Sequence, residues 1–532
     1  MRISLQILAM IMVGIIAIPI FGAFLETGYI LIQSLWQDSQ TTQIIHSNLT
    51  HFFDFLFLRF LKDTFWVATL VLLLSYLIGV SCAYLVAHFD FFFSKILEKI
   101  LFLPLAIPAY ILAFVYVGIF DVGGIFYEIF GIRIDFFNLF GVVWVLSISL
   151  FPYVYIFAKT SFQTQSVQLY EVAKSMKYTQ WQIFYKVSIS SAKPAIFGGL
   201  LLVLMETLSD YGASAYLGID TFSAGIFKLW YDLDDPYSSS ILTAILMVFV
   251  FIIMFLEQKV KQQKRYSFNQ NTQILLQKEK LSHFKSFLAS LYCFLIAFFG
   301  FLLPLAWLLY WGLQDAKLWD KTFYILVLNS FWVGILGAFF ALLCALFLCF
   351  ASRITKSIML SHVFKLSSSL GYAIPGAVVG VSIMIIATGL SHLFQIPLLG
   401  TSISVLIFAY VVRFLATAIY SIQNGYDKIH SSIDEASLTL NPSHLILWFK
   451  IHFPLLKYFM LSAFLIVFID TIKELPITRM LAPFGFETLA TNAFWYATDE
   501  RLYDSALPSL LIVLLSLVGM FLANLFIQGK KC

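Results

Sequence analysis

The stretch "LYEVAKSMKYTQWQIFYKVSISSAKP", Leu169 to Pro194, is polar and helix-forming, yet it lies between two long apolar runs. A near-copy, "IDEASLTLNPSHLILWFKIHFPLLKY", runs from Ile433 to Tyr458. Each copy begins with an acidic residue followed by small ones, Glu171-Val172-Ala173 and Glu435-Ala436-Ser437. A break follows, and then an amphipathic segment containing Trp181 or Trp448. This pattern predicts two short helices joined by a turn. Small residues admit a close partner, and aromatic and charged groups anchor it. A single copy reads equally well as an interfacial helix lying on a bilayer. Two copies on one face of a duplicated chain fit a symmetric partner with two matching clefts.

The duplication extends well beyond the loop. Aligning Glu171 with Glu435 sets an offset of 264 residues, at which Asp470-Thr471 answers Glu206-Thr207 and Glu474 answers Asp210. Close to that offset, "WYATDE" from Trp495 answers "WYDLDD" from Trp230, and "AIP" ending at Pro375 answers "AIP" ending at Pro108. The repeats are residues 1–257 and 284–532, with the repeated polar loops near 166–192 and 427–456 and a polar linker over 258–283.

The chain surrounding these loops is built for lipid. Of 532 residues, 61% are hydrophobic and 12% charged, and the mean hydropathy is +0.89, far outside the range of soluble globular proteins. Twelve apolar windows suit helices crossing a core of roughly 30 Å: 5–25, 64–87, 97–120, 139–162, 194–218, 240–257, 284–312, 323–351, 367–390, 398–423, 456–475 and 504–528. The fold class is therefore an all-α polytopic membrane protein, about twelve helices arranged as two parallel six-helix repeats. An even count puts both termini on one side. Lys and Arg concentrate in the loops on that side and acidic residues in the others, so the termini and both copies of the opening motif are expected in the cytoplasm. Six helices between equivalent points give the halves one orientation, which disfavours inverted-repeat carriers. The N-terminal apolar run is long enough to be retained as a first span rather than cleaved. A net charge of +4 and the lack of a basic stripe argue against a nucleic-acid partner. The five cysteines lack metal-ligand spacing and read as small buried hydrophobes.

Carboxylates inside apolar spans need a cavity or a partner. Glu206 and Asp210 are four residues apart, and Asp470 and Glu474 repeat that spacing, which on a continuous helix puts each pair on one face. One reading makes these four a substrate pathway, or oxygen ligands for a hard metal cation. The other has them capping broken helices or pairing with Arg413 and Lys473. Gly212 and Pro476, just beyond the second carboxylate of each half, predict a break in both helices. On the opposite face, Trp230, Tyr231, Asp234, Asp235, Trp495, Tyr496, Asp499 and Glu500 suit a docking surface for a partner, or the aromatic belt of a membrane surface.

The repeated loop resembles the "EAA" loop of ABC-importer membrane subunits. That pattern is Glu-Ala-Ala, a glycine four residues later and a hydrophobic-Pro pair farther on. Glu171, Ala173, Glu435 and Ala436 match it, as does Phe453-Pro454, while Lys177 and Asn441 replace the glycine and Ser190 the first proline. Asn accepts a left-handed backbone more readily than Lys, so the first turn is the one in question. The segments from Met205 and from Lys473 resemble the fused two-half permeases of ferric-iron ABC importers, over nearly the whole chain. The resemblance implies a type I importer permease of the bacterial inner membrane, one chain per transporter. It also implies two copies of an ATPase subunit, which carries ATP and Mg and is gripped through Glu171, Ala173, Lys177, Trp181, Glu435, Ala436, Asn441 and Trp448, and a periplasmic iron-binding protein. The chain has no G-x-x-x-x-G-K-[ST] loop and is expected to be a transport subunit with no catalytic residues or cofactor of its own. The alternatives are an importer of another small substrate, an anion or a polyamine, and an ion-coupled carrier using the intramembrane carboxylates as a proton relay.

Overall fold

The structure is a computed structural model that describes residues 2–34, 40–164, 172–265, 278–314, 321–355, 374–395, 402–430, 432–435 and 444–528. In chain order, the first half contributes α1 (Arg2–Ser34), α2 (Gln40–His51), α3 (Phe57–His88), β1 (Phe89–Asp90), α4 (Ser94–Ile100), α5 (Ala109–Phe120), α6 (Ile125–Phe130), α7 (Leu139–Gln163), α8 (Ile189–Ser209), α9 (Gly212–Tyr216), α10 (Phe222–Phe227) and α11 (Pro236–Arg265). After β2 (Glu279–Lys280), the second half contributes α12 (His283–Ala297), α13 (Leu303–Gln314), α14 (Lys321–Thr355), α15 (Gly376–Phe394), α16 (Ile403–Tyr426), α17 (Phe453–Lys473), α18 (Pro476–Leu481), α19 (Leu489–Thr498) and α20 (Leu502–Gln528). Among the described residues, the only strands are β1 and β2, paired in parallel with Phe89 opposite Glu279.

Ten helical segments among the described residues are long and apolar enough to cross a membrane. A bent pair, Leu5–Pro19 and Phe21–Gln33, makes an eleventh, and Pro19 explains its 50° bend. The window expected over 367–390 is represented by the shorter apolar helix Gly376–Ser391, with 367–373 outside the described residues. Prolines account for other shifted edges. The window expected from 97 begins as a span only at Ala109, because Pro104 and Pro108 lack backbone N–H groups and a 3-10 turn, Leu103–Ala106, intervenes. The window expected over 194–218 ends at Ser209, where the helix breaks.

The duplication is visible in local geometry. Asn138 and Ser402, 264 residues apart, each accept a bond from the backbone N–H three residues on and so cap α7 and α16. Pro108 and Pro375 start α5 and α15 with nearly identical backbone angles, φ −55°, ψ 143° and φ −58°, ψ 143°.

The chain forms two compact units that cross the boundary between repeats. One comprises residues 1–52, 226–247 and 315–532, and the other 53–225 and 248–314. In the first unit, α1 packs on α15 and α14, so the leading helix of the first half joins the body of the second. In the second unit, α12 packs on α4 and α3 and α13 packs on α5, the reciprocal arrangement. Since lipid is as apolar as leucine, close backbone approach rather than hydrophobic burial holds such helices together. Around Val154 of α7 this is literal: a Cβ on Gly79 of α3 would lie 2.7 Å from the Val154 Cβ, and one on Gly199 of α8 would lie 2.9 Å from its Cα. An alanine at either position forces α7 away from its neighbour.

Candidate functional sites: two loops and two broken helices

The first loop is a closed miniature fold. Residues 172–175 form one helical turn, which ends when Tyr178 N–H donates to the Ala173 carbonyl (3.1 Å) and Lys177 N–H donates to the Lys174 carbonyl (2.9 Å). These are the two bonds of a Schellman closure, and they put Lys177 at φ 58°, the left-handed position that glycine normally fills. Ala173 is buried against Ile183, Tyr178 and Val187, so its smallness serves the loop's own core. Thr179 and Gln182 form a capping box that starts the next turn, Gln180–Gln182, and a π turn, Ile183–Ser188, leads into α8. The outward surface carries Val172, Met176, Trp181 and Tyr185, with Trp181 75% exposed. Glu171 lies outside the described residues.

The second loop is pinned by charge. Asp434 accepts from Arg353 Nε (2.6 Å) and faces His452 Nε2 (2.8 Å), while the other arms of Arg353 donate to the Tyr426 and Ile429 carbonyls (2.9 Å each). Glu435 follows on the exposed side; Ala436 and Asn441 lie outside the described residues. A second π turn, Trp448–His452, leads into α17 as its counterpart leads into α8. Trp448 is half-buried, its ring 5.6 Å from Phe350 and 4.8 Å from Phe449. Trp181 and Trp448 are therefore not equivalent anchors. At the offset of 264, Trp448 answers Phe184, whose ring meets Tyr84 at 4.5 Å, and the sequence offset alone carried that signal.

Both helices following the loops break at an acid. Asp210 (φ −67°, ψ 120°) and Glu474 (φ −69°, ψ 118°) leave helical geometry together, and α9 and α18 begin at Gly212 and Pro476. The carboxylate pairs therefore do not share a continuous helix face: Glu206 and Asp470 sit half-buried in the last turns, and Asp210 and Glu474 sit beyond them. Asp210 accepts from Ser214 N–H and Ser214 Oγ (2.9 Å each) and from Ala213 N–H (3.4 Å), capping α9. Glu474 accepts from Ile477 N–H (3.1 Å) and pairs with Arg413 (3.3 Å). Arg413 presses against Gly376 so closely that a Cβ there would lie 1.8 Å from the guanidinium. Among the described residues, no three His, Cys, Asp or Glu side chains gather as a metal site.

The loops at the other end of each half divide by role. Asp235 is buried and accepts from Ser238 N–H (3.1 Å), capping α11, and Trp230 is half-buried. Tyr231 is exposed, although its hydroxyl donates to the Met480 carbonyl (3.4 Å). Trp495 is half exposed under Arg479 (5.3 Å), and Tyr496 lies under Arg501 (4.7 Å). Asp234 and Glu500 take matching left-handed turns, φ 49° and φ 61°, and both are exposed, as is Asp499.

Residues 75–266 match the family described as "Binding-protein-dependent transport system inner membrane component". The chain is 26% identical over 474 residues to the Fe(3+)-transport system permease protein FbpB 2 of Haemophilus influenzae, covering 87% of this chain and 88% of that protein. It is 25% identical to the ferric transport system permease protein FbpB of Actinobacillus pleuropneumoniae, over 66% of this chain and 53% of that protein. The sulfate transport system permease protein CysT of Escherichia coli matches 32% of this chain at 24% identity, covering 64% of its own length. The chain pairs long apolar helices with a repeated polar loop in each half, and it is similar over both halves to inner-membrane permease components of binding-protein-dependent transport systems.

Proposed function

We propose that the chain carries ferric iron across the bacterial inner membrane, receiving it from a periplasmic binding protein and driven by two copies of an ATPase subunit that hold ATP and Mg. The observation that carries the substrate is coverage: the ferric relative aligns through both halves, 87% of this chain, whereas the sulfate relative aligns with 32%. One permease chain then supplies both ATPase contacts, with both termini and both loops in the cytoplasm. The exposed surface of Val172, Met176, Trp181 and Tyr185 is the grip of the first loop, and Glu435 belongs to that of the second. Tyr231, Asp234, Trp495, Asp499 and Glu500 are the exposed candidates for receiving the binding protein. The pathway role of the four carboxylates takes a narrower form. Asp210 and Glu474 fix the break in each helix, with oxygens committed to caps and, in the second half, to Arg413.

A second reading, a small oxyanion as cargo, draws on the sulfate relative and on the Arg413 guanidinium beside the second break. Reconstituted uptake decides between them. The permease, its ATPase and its binding protein are placed in proteoliposomes and supplied in turn with ferric iron, sulfate and molybdate. Iron accumulation that requires ATP and the binding protein is the expected result; accumulation of an oxyanion alone overturns the iron assignment.

A further inference from the structure

The first loop is held by a residue from outside its own half. Glu279, in the linker between the repeats, pairs with Lys174 in the helical turn of the loop and accepts from Gln180 Nε2 (3.3 Å) at the start of the next turn. The linker is itself fixed at that point. Glu279 and Lys280 pair in parallel with Phe89 and Asp90, and Leu281 N–H donates to the Asp90 carbonyl (3.3 Å). Next door, Lys278 reaches Glu98 (3.6 Å), which Lys159 of α7 also holds (3.0 Å). Burial opposes ionisation of Glu98, but the two lysines outweigh it and keep its carboxyl below the ordinary glutamate range. Three residues past Lys280 the chain enters α12, where Ser286 Oγ accepts from Phe92 N–H (2.9 Å) and Ser290 Oγ donates to the Phe92 carbonyl (2.6 Å). Phe92 also stacks on His283 at 6.1 Å. These groups all belong to one compact unit.

We infer that Glu279 is a positioning residue for coupling: the end of the linker straps the first loop to α4, α7 and α12, so that a displacement of the loop is passed to the leading helix of the second half. The inference rests on the reading of the loop as an ATPase contact. Its distinctive content is that fusion of the halves supplies the brace, since Glu279 lies in the linker that joins them. The second loop needs no such strap, because Asp434, Arg353 and His452 all lie in its own half.

The test uses the full chain in nanodiscs and compares wild type with Glu279→Gln, Glu279→Asp and the exchanged pair Lys174→Glu/Glu279→Lys. Hydrogen exchange is read on a peptide spanning 172–182. Losing a half-exposed ion pair should speed exchange at Met176, Lys177 and Tyr178 about threefold in Glu279→Gln. Exchange over 444–452 should stay unchanged, and the other two variants should approach wild type. Unaltered exchange over 172–182 in Glu279→Gln overturns the strap. With ATPase and binding protein added, substrate moved per ATP should fall about twofold in Glu279→Gln and recover in the exchanged pair. Faster exchange with an unchanged transport ratio reduces Glu279 to a structural contact and overturns its role in coupling. If wild-type permease neither binds nor stimulates an ATPase, the importer reading fails instead, and the exchange data still decide the strap.

Discussion

The two broken helices make the same turn by different means. Asp210 and Glu474 agree in backbone angle to within a few degrees, and each caps the short helix that follows. Their side-chain partners differ. Asp210 takes both a hydroxyl and an amide bond from Ser214, whereas the carboxylate of Glu474 faces Arg413 from α16. At the offset of 264, Arg413 answers Ser149, whose hydroxyl makes a long bond to the Ile107 carbonyl, 3.5 Å. Duplication has thus preserved a backbone geometry while the electrostatics diverged, and at the second break the carboxylate faces an arginine.

Removing one side of that pair is the largest effect expected. Arg413→Met leaves Glu474, 5% exposed, without its cation, and breaking a buried pair this way costs on the order of 3 kcal/mol. Ser149→Ala, the equivalent change in the first half, should cost under about 1 kcal/mol, because a long hydroxyl–carbonyl bond contributes little. Adding Glu474→Gln to Arg413→Met should recover most of the loss. Thermal unfolding of the purified variants measures all three. Equal losses from Arg413→Met and Ser149→Ala would erase the asymmetry, and a double variant no better than the single one would show that Arg413 acts through packing against Gly376.

This asymmetry was only partly legible in the sequence. The breaks were readable because Gly212 and Pro476 mark them locally, and the repeat was readable because Glu171 and Glu435 fix one offset. The capping role of Asp210 and Glu474 was open, since spacing of four residues implies a shared helix face only while the helix continues. Span edges near Pro104 and Pro108 shifted for a related reason: hydropathy averages over a window, whereas a missing N–H acts at one residue. The brace at Glu279 was illegible, because a linker carboxylate meets Lys174 across 105 residues and no local pattern records such a distance.

The two tryptophans offer the next contrast. Trp181 is exposed and Trp448 packs on Phe350, so their alanine variants should fail in different assays. Trp448→Ala removes a half-buried ring and should cost about 2 kcal/mol of stability. Trp181→Ala should change stability by less than about 0.5 kcal/mol, as surface substitutions do, while weakening ATPase binding about tenfold if it is an interface anchor. Unfolding curves and ATPase titration of both variants separate the effects. A Trp181→Ala protein that binds the ATPase normally would leave the exposed face of the first loop without its principal anchor.

The smallest effect concerns the turn itself, where the first loop places lysine at a left-handed position. A side chain with a Cβ is strained there by roughly 1–2 kcal/mol. Glycine removes that strain but gives the unfolded chain more freedom, which offsets about 0.5–1 kcal/mol. Lys177→Gly should therefore tighten the loop by about 0.5 kcal/mol, seen as slower hydrogen exchange at Tyr178, whose N–H closes the turn onto Ala173. Lys177→Val should loosen it, because a β-branched side chain crowds the left-handed backbone further. If Lys177→Gly exchanges faster than wild type, the lysine side chain itself stabilises the turn, and its φ of 58° is compensated by a contact that glycine cannot make.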